Sequence, residues 1–146
     1  MPVIALLTWI AAALGGLYLL AVWLIEYDRE FHSAAATRLP VPVVAAHVLL
    51  AVAGLFIWAA YLFTDVGRLA ELAAAIVAVV AGLGATLARR WFTVYRSVPA
   101  GSGGGGGQAA VPPERNFPLP VVIGHGVLAF TTLILVLLTA AGIGSS

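Results

Sequence analysis

Four long, predominantly apolar runs, at residues 3–25, 41–63, 69–87 and 119–143, occupy most of this chain. Each is long enough to cross a bilayer, which takes about 20 apolar residues in a helix. Strands would alternate apolar and polar residues, and these runs do not, so the spans are expected to be helices. The composition agrees, with 62% hydrophobic and 9% charged residues and a mean hydropathy of +1.08. A soluble domain carries roughly 25% charged residues. The expected architecture is a single all-α domain over residues 1–146, an integral membrane four-helix bundle.

The same figures exclude several classes. The net charge is only +1 and no basic cluster is present, which argues against nucleic-acid binding. With no cysteine, a disulfide scaffold is ruled out. No G-x-S-x-G, H-E-x-x-H or Walker A motif and no paired intramembrane carboxylate occurs, so the chain is expected not to be an enzyme.

The first run has no basic residues ahead of it and continues well past Gly16, which favours a retained span over a cleaved signal. Arg29 and Arg38 lie between spans one and two, and Arg89, Arg90, Arg96 and Arg115 between spans three and four, against Arg68 alone in the remaining connection. Positive charge stays cytoplasmic in short loops. Both termini are therefore expected outside a plasma or inner membrane. Residues 97–116, with the glycine run 101–107, read as a flexible tether. The aromatic and basic residues at 89–96 read as an anchor at the headgroup layer.

Spans two and four are related by a shift of 78 residues. Leu39-Pro40-Val41-Pro42-Val43-Val44-Ala45-Ala46-His47 matches Phe117-Pro118-Leu119-Pro120-Val121-Val122-Ile123-Gly124-His125. Proline suits helix entry because its missing N–H would be unpaired in the first turn anyway. Two spans separate equivalent points, so the repeat is expected to be a parallel one of two helices each, with His47 and His125 at similar depth. Counting from Pro42 and Pro120 puts both imidazoles about 7–8 Å into the spans at 1.5 Å per residue. Between spans one and three the echo is faint, Leu14-Gly15-Gly16 against Leu83-Gly84.

Residues seven apart share a helix face. His47, Gly54 and Tyr61 form one such stripe and His125, Thr132 and Thr139 the matching one, and both are expected to face protein. Span three offers Ala75, Ala78, Gly82 and Ala85, and span one Ala12, Gly15 and Gly16, small residues that let helices pack closely.

These features support two functions. The first is an accessory or structural subunit of a larger membrane assembly, transport or respiratory, with lipid and a bigger complex or further copies of itself as partners. The alternative is a bis-histidine haem b electron-transfer protein with His47 and His125 as axial ligands, since imidazole ligates haem and bundle cores hold cofactors. In the blander alternative each histidine bonds to a neighbouring helix. A bare metal site is disfavoured, because zinc or copper takes three or four ligands.

Overall fold

The computed structural model describes residues 1–31, 37–97 and 112–143. Four helices make the fold: α1 (Pro2–Phe31), α2 (Val41–Thr64), α3 (Gly67–Ser97) and α4 (Leu119–Ala140), with a short 3-10 turn at Pro113–Asn116 before α4. All four are long and apolar enough to cross a membrane.

Local chemistry sets the helix ends. Pro40 and Pro118 stand at the N-caps of α2 and α4 with φ of −70° and −64°, and a second proline follows in the first turn of each. Asp65 closes α2 in the left-handed region at φ 54°, its N–H donating to the Tyr61 carbonyl at 2.8 Å. Aspartate tolerates that conformation better than most residues. The chain then turns into α3 within two residues.

Three boundaries differ from the sequence-based expectation. α1 continues to residue 31, and α3 runs on through 89–96, so the aromatic and basic segment forms the last turns of a helix. Backbone hydrogen bonding carried both helices past the end of their apolar stretch. α4 stops at Ala140, where Gly142 takes φ +78° and donates to the Thr139 carbonyl at 2.9 Å. The glycine run 101–107 lies outside the described residues.

The helices form a ring. α1 packs against α4 and α2 against α3 most extensively, and the α3–α4 and α1–α2 contacts close it. The diagonal pairs, α1 with α3 and α2 with α4, make no backbone contact. Outward faces carry large apolar side chains such as Leu49, Phe56 and Phe63, which suit contact with lipid.

The buried core is discontinuous. At the end holding the N-termini of α1 and α3, Trp9, Trp58, Tyr61, Val77 and Val136 pack with Ala5, Ala70, Ala73 and Ala74. Here the Trp58 indole N–H donates to the Pro2 carbonyl at 3.2 Å, and the Thr132 and Thr8 hydroxyls lie 3.0 Å apart. At the opposite end Trp23, Leu39, Trp91, Val94, Pro113 and Glu114 are buried. Between the two, no residue of 13–22, 41–53, 81–90 or 119–131 is buried. That layer is about 15 Å tall at 1.5 Å per residue.

Glu114 clasps the second buried end. It is fully buried, accepting from the Arg38 backbone N–H at 2.7 Å and from the Thr37 hydroxyl at 3.1 Å. Thr37 in turn accepts from the Trp23 indole at 3.1 Å and from the Leu39 N–H at 3.2 Å. Residues 113–116, read from sequence as part of the tether, are thus an ordered anchor. Glu114→Leu is expected to destabilise the protein by about 1–3 kcal/mol, because it removes the acceptor of two partly buried donors, the Thr37 hydroxyl and the Arg38 N–H. Thermal unfolding in detergent measures this, and Glu114→Gln, which keeps one acceptor oxygen, should lose less.

Candidate cofactor site

His47 and His125 both sit in the layer without buried side chains, one on each of the diagonal helices α2 and α4. The proline-started helices place each imidazole at the same height, and the seven-residue stripes turn both inward. Their ring centres are 6.3 Å apart and their planes are inclined by 73°. Both residues are half-buried.

Each ring is held in the same way by the adjacent helix against which its own helix packs most extensively. His47 Nδ1–H donates to the Val80 carbonyl of α3 at 3.0 Å, and His125 Nδ1–H to the Ala12 carbonyl of α1 at 2.8 Å. A carbonyl only accepts, so Nδ1 carries the proton in both rings and the lone pair of the neutral imidazole is on Nε2. Among the described residues no hydrogen bond reaches either Nε2. A backbone carbonyl on the far nitrogen is also the arrangement that orients a metal-binding histidine.

Glycines make the close approach feasible. Each stands four residues after the accepting carbonyl, Gly84 after Val80 and Gly16 after Ala12. A Cβ at Gly84 would lie 3.0 Å from His47 Cε1, and one at Gly16 would lie 3.0 Å from His125 Cε1. Gly15 is also near, its Cβ position 3.5 Å from His125 Cβ. A Cβ at 16 or 84 would already press on the ring, and a branched side chain there would compete with it for the same space.

Of the other residues marked from sequence, Gly54, Tyr61, Thr132 and Thr139 are buried in or beside the packed end of the bundle. A Cβ at Gly54 would meet Ile76 Cγ2 and Trp9 Cζ2 at 2.9 Å, so this glycine permits tight helix packing. The α3 stripe is different. Ala75, Ala78, Gly82 and Ala85 are all exposed, and nothing lies within 4 Å of a Cβ at Gly82. The inward face of α3 instead carries Ala70, Ala73, Val77, Val80, Gly84 and Trp91. An alanine-rich helix offers small residues on several faces, and composition alone does not choose between them.

Gly84 and its neighbours did leave a trace in the sequence. Ala5, Ala13, Gly16, Leu19, Trp23 and Tyr27 recur 68 positions later as Ala73, Ala81, Gly84, Leu87, Trp91 and Tyr95. Aligning Leu14-Gly15 with Leu83-Gly84 misses this register by one residue. Trp23 stacks on Tyr27 with ring centres 5.2 Å apart, and the Trp91 and Tyr95 rings, tilted by 31°, lie at the same 5.2 Å.

The residues present fit one kind of group better than another. Among the described residues, no three His, Cys, Asp or Glu side chains cluster to hold a bare metal ion. A porphyrin supplies its own equatorial nitrogens and needs only two axial ligands. Two imidazoles binding opposite sides of one metal ion hold their ring centres about 6 Å apart, from two bonds of about 2 Å and roughly 1 Å from each nitrogen to its ring centre. The observed separation is 6.3 Å.

The chain is thus an all-helical protein with four helices able to span a membrane and a facing histidine pair between two of them. No protein family, curated protein or solved structure matches it.

Proposed function

We propose that this chain is a multi-pass membrane electron-transfer protein that holds one haem b between His47 and His125. The observation that carries the reading is the histidine pair itself: rings 6.3 Å apart, each with Nδ1–H fixed on a carbonyl and Nε2 left to bind. The layer without buried side chains supports it, as do the glycines beside both rings.

A haem held by His47 and His125 would supply one-electron exchange, and with both imidazoles committed to it electron transfer is favoured over catalysis. The protein's part is to fix both imidazoles in the ligating tautomer. Its apolar outer faces seat the bundle in lipid, and the packed end with Trp9 and Trp58 closes one side of the site.

The proposal extends to ancestry and placement. Two helix pairs, α1 with α2 and α3 with α4, arose from one unit by duplication, in parallel orientation. This is supported by the registers of 68 and 78 residues, whose difference is the longer, glycine-rich second connection. Both termini lie outside a plasma or inner membrane, and the histidines sit nearer the cytoplasmic face, as the arginine distribution indicates. Electrons would then be exchanged with a partner at that face.

A reduced-minus-oxidised visible spectrum of the detergent-purified protein, with a pyridine haemochrome assay, tests the function. An α-band with about one haem per chain is expected from the single histidine pair. A colourless protein from a haem-replete host would overturn this reading. It would leave an accessory subunit packed against a larger membrane assembly, whose members co-purification would identify.

A further inference from the structure

Trp23 and Trp91 stand seven residues beyond Gly16 and Gly84, nearly two helical turns, on the same inward stripes. Helical side chains lean toward the N-terminus of their helix, so both indoles lean back toward the histidine layer. Their hydrogen bonding differs. The Trp23 indole N–H donates to the Thr37 hydroxyl at 3.1 Å. Trp91 is just as deeply buried, at 6% exposure, yet its Nε1–H has no hydrogen-bond partner among the described residues. Among the described residues it is the only buried side-chain nitrogen or oxygen left in that condition.

The 78-residue register explains the asymmetry. Arg115 stands where Thr37 stands in the first half. A hydroxyl accepts, whereas a guanidinium has five donors and no acceptor. The exchange therefore removes the acceptor that the indole would have had and adds a positive charge. The turn Pro113–Asn116, which carries Arg115, is in contact with α3, which carries Trp91. An indole N–H and a guanidinium at one end of the histidine layer suit a ligand with several acceptor atoms and negative charge. A carboxylate is such a ligand.

Resting on the haem site proposed above, we propose that Trp91 Nε1–H and Arg115 bind a propionate carboxylate of the haem held by His47 and His125. Trp91 and Arg115 are positioning residues, which fix the rotation of the macrocycle within the bundle. Trp23, already satisfied by Thr37, takes no part.

The test is titration of the haem-free full-length protein in detergent with haem and with haem dimethyl ester, whose propionates are masked. The wild-type protein should prefer haem over the ester, and Trp91→Phe should weaken haem binding by about tenfold or more but ester binding distinctly less, because a neutral ester oxygen accepts from the indole more weakly than a carboxylate does. Arg115→Gln should act in the same direction. Trp23→Phe should keep the wild-type preference. Comparing variants with each other cancels any difference in how the two haems partition into detergent. Equal losses for haem and ester in both Trp91→Phe and Arg115→Gln would overturn the proposal while the haem site stood. Failure of the wild-type protein to bind either compound would overturn both.

Discussion

Replacing either His47 or His125 with alanine is expected to abolish stoichiometric haem binding and with it the Soret band. In the proposed site His47 and His125 would hold the iron between them, and removing either imidazole would delete half of the protein's bonds to it. The fold should survive, because each substitution deletes one hydrogen bond to a carbonyl, a net loss of about 1 kcal/mol. Size-exclusion behaviour and helical circular dichroism close to wild type would separate loss of ligand from loss of structure. His125→Met offers a sharper readout. Thioether ligation should retain an α-band and raise the midpoint potential, as methionine does in place of histidine. Only one other histidine exists in the chain, His32. Alanine variants that stayed fully pigmented would rule out the 47/125 pair as ligands.

The second large effect is expected at two residues that carry no functional group. Gly16→Val and Gly84→Val should each remove haem binding nearly as completely as the loss of a ligand. A Cβ alone would come within 3.0 Å of an imidazole carbon, and the valine methyls reach further. The ring would have to leave its carbonyl and rotate out of the facing arrangement. Helix propensity works against any trivial explanation, since valine costs less than glycine in a helix interior, by a few tenths of a kcal/mol. Gly82→Val is the control on the same helix. Nothing lies within 4 Å of its Cβ position, so its spectrum and haem stoichiometry should match wild type. Equal pigment in all three variants would mean that these glycines do not shape the site.

Much of the architecture is legible in the sequence. Four apolar runs became four helices, and the proline pairs at 40/42 and 118/120 fixed where α2 and α4 begin. The matched count from proline to histidine put His47 and His125 at one level. These are properties of composition, periodicity and backbone chemistry, all carried by residues close together in the chain.

The site was less legible. The sequence points to Ala75, Ala78, Gly82 and Ala85 as the packing face of α3, yet all four are exposed, because small residues occupy nearly every side of that helix. Only contact with α2 shows that Val80 and Gly84 point inward. Glu114 was hidden within a stretch read as tether, and its partners Thr37 and Arg38 lie 77 and 76 residues away. The same holds for the carbonyls of Ala12 and Val80, which look like any other helical backbone.

By itself the sequence determined which segments are helical, where two of them start, and that two histidines share a depth, because those outcomes follow from interactions within a few turns. The tertiary structure alone decided that the histidines face each other at 6.3 Å, which carbonyls orient them, and which glycines make room. Those outcomes depend on how four helices rotate and pack about one another. In an apolar chain many rotations bury similar surfaces, and specific long-range contacts select one of them.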